Sequence, residues 1–297
     1  MNGKEQQILS EPNLHQKNMK GRELFFYGII YFSAAITVLV LAVMLFYIVK
    51  QGIGKISWEF LLTSPSVLKN NIGIFPNIIN TIWIVFLSLL VVTPVGVGAA
   101  IYLNEYANSG IFTTVIQFAI QTLSGIPSII YGLFGAIFFG ITLGLDYSIM
   151  AGSLTMSIMT LPVMISTVQE ALQSVPEGYR EGALGLGVTK WYMLRTIILP
   201  SALPGMITAV ILTIGRIVSE SAALIFTAGI GTALPRGLQG WLGHTFQSGA
   251  TLTVELYQYA ANRGDNETAF GIAFVLLVIV LVMNMLTKFL AKIVKKG

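Results

Sequence analysis

Two ionisable residues, Arg216 and Glu220, stand deep inside an apolar run of this 297-residue chain, within Gly215-Arg-Ile-Val-Ser-Glu-Ser-Ala-Ala-Leu-Ile-Phe-Thr-Ala-Gly229. Their spacing of four predicts that both lie on one face of a helix, within reach of each other, with Ser219 and Ser221 beside them. An arginine at bilayer depth costs about 2.5–3.5 kcal/mol even on a lenient insertion scale, so it is expected to face a water-filled path or a second subunit. A guanidinium offers fixed, paired donors to an oxyanion, and a nearby carboxylate weakens that grip enough for release. Two readings are open at this point: a route for an anion, and a structural ion pair that holds a bundle together.

Other chemistry is scarce. The chain has no cysteine and two histidines, His15 and His244, which leaves no thiolate site and makes a metal cluster implausible. No GxxxxGK[ST] phosphate loop occurs, and no paired carboxylates or His/Cys constellation lies within the apolar runs. The formal charge of +4 is accounted for by membrane topology before nucleic acid is invoked, and no nucleic-acid partner is expected.

The elements that must position Arg216 follow from composition. With 55% hydrophobic residues, 10% charged and a mean hydropathy of +0.78, the chain lacks the polar surface of a soluble domain. It is an all-α, polytopic transmembrane helical bundle. Runs long enough to cross a bilayer are Leu24–Val49, Ile78–Leu103, Tyr147–Val168, Ile197–Phe226 and Phe270–Thr287. Ile111–Leu145 is too long for one straight crossing and is expected to break at Ser124-Gly-Ile-Pro127, an interfacial helix leading into a crossing from about Ser128. Six crossings result, with Gly140 and Gly144 as a GxxxG face and Pro162 as a kink. The chain thus divides into an N-terminal tail (1–23), an anchor helix (24–49), a transmembrane domain (77–290) with polar loops at 169–195 and 228–268, and a basic tail (291–297). A short amphipathic helix is expected near Thr251–Ala261, beyond Trp241 and His244.

Basic residues set the orientation. With the N-terminus inside, eleven Lys and Arg fall on the cytoplasmic side and five outside, which predicts that both termini and the loop 169–195 are cytoplasmic. The outer five are Lys50, Lys55, Lys69, Arg236 and Arg263.

The loop 169–195 reads as two short surface helices. Ser174 and Glu177 have capping-box spacing with Pro176 in the first turn, Gly185 and Gly187 end the first helix, and Thr189 caps the second. Glu181, Ala183, Gly187, Ile197, Leu199 and Pro200 fall at every spacing of the cytoplasmic signature of ABC importer permeases, Glu-Ala-Ala, three residues, Gly, nine residues, Ile-x-Leu-Pro. Gly182 replaces the middle alanine, at a cost of about 1 kcal/mol in helix stability.

That segment resembles the coupling helix with which such permeases dock a separate ATPase subunit. Asn80-Thr81, Asn104-Glu-Tyr-Ala107, Ser124-Gly-Ile-Pro-Ser-Ile-Ile-Tyr-Gly-Leu-Phe-Gly135, Leu161-Pro162 and Gly215–Gly229 extend the likeness to phosphate ABC importer permeases, from about Asn77 onward. Leu224–Gly229 and the anchor without a long insertion look more like the A-type than the C-type subunit. The resemblance implies the type I ABC importer permease fold and a prokaryotic inner-membrane location. It implies docking through Glu181, Gly182, Ala183 and Gly187, with Ala183 leaving room for the partner's surface. Its implied partners are a C-type permease, two ATPase subunits that hold the ATP and Mg, and an external phosphate-binding protein facing the 228–268 loop. This chain itself is expected to bind no cofactor and to catalyse no reaction. Permeases for sulfate, molybdate or tungstate, and an ion-coupled secondary transporter, are the competing assignments.

Overall fold

A computed structural model describes residues 14–65, 72–108, 110–235 and 237–294. Five of the residues counted for orientation, Lys4, Lys69, Arg236, Lys295 and Lys296, lie outside them, as does most of the N-terminal tail. The described residues are almost wholly helical, with a single isolated β-bridge between Thr232 and Gly249.

The chain forms two units, residues 1–51 and 52–297. The described part of the first is one helix, α1 (Leu14–Gly52), whose apolar side chains from Phe25 to Tyr47 are exposed, as a lipid-facing anchor requires. Within the second unit, a short α2 (Trp58–Leu62) is capped by the Ser57 hydroxyl and precedes α3 (Phe75–Ile101), which ends in a π turn, Tyr102–Tyr106. Helix α4 (Ile111–Ser124) and α5 (Ser128–Gly135), which continues as a π turn over Ala136–Thr142, meet at a bend of 101°. The break falls at Gly125–Pro127, where the sequence places it: Pro127 cannot donate the helical hydrogen bond. The segment Ser128–Thr142 extends roughly 22 Å, short of a bilayer's hydrocarbon thickness of about 30 Å.

Helix α6 (Ile149–Gln173) is the centre of the bundle: 67% of its apolar window is buried, against 22–33% for the other long helices of the unit. It reaches that depth with small and hydroxylated residues. Ser153, Thr155, Ser157 and Thr160 each donate to the carbonyl four residues back, at 2.7–2.8 Å, so no buried hydroxyl lacks a partner. Ser88 of α3 donates to Ser153 O at 3.1 Å and Ser157 to Ser88 O at 3.3 Å, tying the two helices where their backbones come close.

The remaining elements are α7 (Glu177–Gly185), α8 (Lys190–Met193) with a π turn over Leu194–Ile198, α9 (Leu199–Ser219), α10 (Ala222–Thr227), α11 (Gly237–Thr245), α12 (Leu252–Tyr257) with a π turn to Arg263, and α13 (Asn266–Val294). Among the described residues, five helices are long and apolar enough to cross a membrane, or six if the bent pair α4–α5 is counted as one span. The helix expected near Thr251–Ala261 is present as α12 and its π turn, capped by Thr251.

Three local expectations are corrected. Gly144 is not on a helix face with Gly140: the helical segment ends at Thr142, and Gly144 takes a left-handed φ of 67° in the turn that follows. Ser174 does not cap α7; it ends α6, and its hydroxyl donates to Ala171 O at 2.8 Å. The run Ile197–Phe226 is not one helix, because α9 stops at Ser219 and Glu220 is extended, at φ −84° and ψ 127°.

A buried polar network joins the start of α3 to α11 and to the start of α12. Asn80 donates to Ala250 O at 3.2 Å, which orients its amide so that Oδ1 accepts the Nε2 hydrogen of His244 at 2.8 Å. Asn77 donates to the same carbonyl at 3.3 Å, and the Thr81 hydroxyl accepts from Leu252 N at 2.9 Å. Burial lowers the His244 pKa below its ordinary value.

Candidate functional site

Helix α7 exposes both polar and apolar residues, among them Glu177, Tyr179, Glu181 and Leu184. Its C-terminus closes as a Schellman motif: Gly187 N donates to Leu184 O at 2.9 Å and Val188 N to Ala183 O at 3.4 Å. Gly187 adopts φ 76°, the left-handed conformation that the sequence assigns to it. The Thr189 hydroxyl then accepts from Tyr192 N at 3.3 Å and caps α8, also as expected.

Of the four docking positions named from sequence, Glu181, Gly182 and Gly187 are exposed, and Ala183 is not. Ala183 is 4% exposed and sits in a core cluster with Val168, Leu172 and Ile198, next to Val188. Its small size serves contact with its own chain and offers no room to a partner. The exposed face also carries Tyr179, Leu184 and Leu186, the last 85% exposed. Among the described residues, a Cβ added at Gly178, Gly182 or Gly185 would meet nothing within 4 Å, so none of their contacts requires glycine there. Each costs about 1 kcal/mol in a helix relative to alanine, a cost with no return inside the subunit.

Arg180, on the inner side of the same helix, was not singled out by sequence. Its side chain is 13% exposed and faces Glu105, 8% exposed, in the π turn at the end of α3. Nη2 and Nε donate to Glu105 Oε1 at 3.0 and 3.3 Å, Nη2 to Leu172 O at 2.8 Å, and Nη1 to Val175 O at 3.0 Å and Glu177 Oε2 at 3.2 Å. Inward placement of Ala183 and Arg180, three residues apart, is the helical spacing through which sequence could have revealed it.

The second site is the break between α9 and α10. The Glu220 carbonyl, released from the helical ladder, accepts from the Thr253 hydroxyl at 2.8 Å. Its carboxylate Oε1 accepts from Ala223 N at 3.1 Å and so caps α10. The four sequence-selected residues are therefore brought together as a helix end and not as one helical face. Ser219 donates to Arg216 O at 3.2 Å, and Ser221 begins α10. Among the described residues no ion pair engages Arg216, which is exposed on the subunit surface within electrostatic range of the Tyr131 hydroxyl. The expected Arg216–Glu220 pair is absent because the helix that would align the two side chains ends between them. Helix α10 is held against α5 by close backbone approach: a Cβ on Gly132 would lie 2.8 Å from Ala223 Cα, and one on Gly135 2.9 Å from Thr227 Cγ2.

The described residues thus form a membrane bundle with a broken penultimate long helix and an exposed, glycine-rich surface helix. Residues 93–297 match the family described as binding-protein-dependent transport system inner membrane component, and the chain belongs to that family of ABC transporter permease subunits. It is 34% identical to the probable ABC transporter permease protein YqgI of Bacillus subtilis, over 91% of this chain and 95% of that one. It is 30% identical to the phosphate transport system permease protein PstA of Haemophilus influenzae, over 88% of this chain and 90% of that one. Among solved structures, a bacterial alginate ABC transporter in complex with a pentasaccharide-bound periplasmic protein aligns with a TM-score of 0.66 at 16% identity, covering 95% of this chain and 98% of that one, which shows the type I permease fold.

Proposed function

We propose that the chain is the A-type permease of an ATP-driven importer of inorganic phosphate, and that it works as a heterodimer with a C-type permease. The similarity to PstA proteins along most of both chains carries this reading. The site chemistry supports it. An arginine exposed on one subunit of a membrane bundle is costly against lipid, so it is best accommodated beside a second permease, lining an aqueous path for an anion. Glu220 then contributes by terminating α9 just beyond Arg216 and fixing α10.

The exposed face of α7, with Glu181, Gly182, Gly187, Tyr179 and Leu186, docks one of two ATPase subunits, which hold ATP and Mg. Both termini and α7 face the cytoplasm, and the segment from Ala228 to Thr268 faces an external phosphate-binding protein. ATP-driven closure of the ATPases moves α7 and opens the path outward; hydrolysis resets it.

Uptake of labelled phosphate by cells expressing the complete transporter tests the cargo. Unlabelled phosphate should displace the label while sulfate, molybdate and tungstate at the same concentration leave it unchanged. Displacement by one of those anions in preference to phosphate would reassign the substrate. Uptake that survives ATP depletion and collapses with the proton gradient would instead mark a secondary transporter.

A further inference from the structure

We propose that the Arg180–Glu105 ion pair is the contact through which this subunit passes a displacement of the surface helix α7 to the membrane helix α3. The inference rests on α7 being the docking helix for an ATP-hydrolysing partner.

Helix α7 is joined covalently to α6 and to α8 by short connections, and its backbone lies closest to α8 and the π turn that follows. To α3 it has no covalent link. The bridge is a side chain, spanning 75 positions in sequence. A guanidinium has five N–H groups in a rigid plane, and all five are used: two on Glu105, one each on the carbonyls of Leu172 and Val175, and one on Glu177. Leu172 is in the last turn of α6. One side chain therefore fastens the end of α6, the whole of α7 and the end of α3.

The planarity of the fork makes the connection stiff. A shift of α7 relative to α3 cannot be absorbed by rotating one bond, as a lysine ammonium would allow, because the two bonds to Glu105 share a plane with the two to the carbonyls. At the other end, Glu105 lies in the π turn Tyr102–Tyr106, whose extra residue re-aims the side chains that follow α3, and its Oε1 also accepts from Asn104 Nδ2 at 2.7 Å. The carboxylate is thus held from its own side as well. The Asn104–Ala107 segment thus supplies the acceptor for Arg180 and the amide that steadies it. A push on α7 reaches α3 and, through the bonds of Ser88 with Ser153 and Ser157, the central helix α6 as one body.

The test uses the assembled transporter, purified through this chain and reconstituted in vesicles with its external binding protein, measuring labelled phosphate imported per ATP hydrolysed. Arg180→Gln and Glu105→Gln should each lower that ratio by at least about tenfold, a coupling of ordinary size for one linkage, while the ATPase subunit stays bound. Arg180→Lys should fall between these and the natural chain. Because the chain has no cysteine, Arg180→Cys with Glu105→Cys can be bridged by a short bifunctional methanethiosulfonate: bridging should restore the ratio, and reduction abolish it again. An unchanged ratio in the glutamine variants, a bridge that restores nothing, or loss of import only in step with loss of the ATPase would overturn the proposal. If the natural complex retains no ATPase at all, the docking assignment itself fails, a different result from retained ATPase with intact coupling.

Discussion

Glu220 Oε1 accepts a hydrogen bond from the backbone of Ala223 at 3.1 Å, and this contact, not an ion pair with Arg216, is what the only carboxylate in the Gly215–Gly229 segment makes. The two charges near the helix break therefore have separable duties. Glu220→Gln keeps an oxygen acceptor for the Ala223 amide and is expected to assemble and transport nearly as the natural chain does. Glu220→Ala removes the cap and should cost about 1 kcal/mol of stability. Thermal unfolding of the purified complex, alongside phosphate uptake, checks the contrast.

Gly187 and Gly182 separate conformation from contact. A Cβ at either position meets no described residue within 4 Å, but Gly187 holds φ 76° and Gly182 lies within a helix. Gly187→Val should lose about 1–2 kcal/mol through the left-handed conformation alone and weaken ATPase retention, with Gly187→Asn milder. Gly182→Ala should stabilise the isolated subunit by up to about 1 kcal/mol, and any loss of the ATPase in that variant would come from the partner's side of the contact. Co-purification of the ATPase and melting of the complex measure both.

Close packing of α5 on α6 and α10 predicts a steep dependence on one methyl group. A Cβ at Gly135 would run into Thr155 and Thr227, whereas one at Gly98 meets nothing within 4 Å. Gly135→Ala is expected to cost about 1–3 kcal/mol by overpacking, and Gly98→Ala to be neutral or slightly stabilising. Unfolding midpoints of the two variants in the same detergent decide it.

His244 makes the packing of α11 on α3 sensitive to acid. Its folded pKa lies below the ordinary 6.5 because the ring is buried. The unfolded chain therefore binds a proton that the folded one refuses as pH falls below that value. Stability from this residue is fully present above about pH 6.5 and declines as pH drops toward the lower folded pKa. His244→Gln keeps a donor for Asn80 and has no proton to take up. Melting curves at successive pH values should show a smaller acid loss in that variant than in the natural chain.

Much of this was legible in residue order. The bend at Pro127, the left-handed Gly187 and the Thr189 cap were read correctly because each follows from backbone geometry within a few residues. The break after Ser219 was not, since no glycine or proline falls between Arg216 and Thr227 to announce it. It is imposed by Thr253, thirty-three positions away, whose hydroxyl takes the Glu220 carbonyl. Ser174 misled for a related reason: a serine between two helices can end one or begin the next, and here the Ala171 carbonyl claims its hydroxyl. Ala183 satisfies a docking signature by spacing while facing its own core, a direction that depends on where Arg180 is anchored.

The central claim is that this chain carries phosphate past Arg216. Vesicles holding the assembled transporter, with ATP and the external binding protein supplied, should accumulate labelled phosphate. Arg216→Gln, with every subunit still co-purifying, should reduce the initial rate by at least about a hundredfold, the scale set by losing a charge-assisted, two-pronged contact with an anion. Uptake by Arg216→Gln at the natural rate would contradict the account, and loss of the complex in that variant would return Arg216 to a structural role.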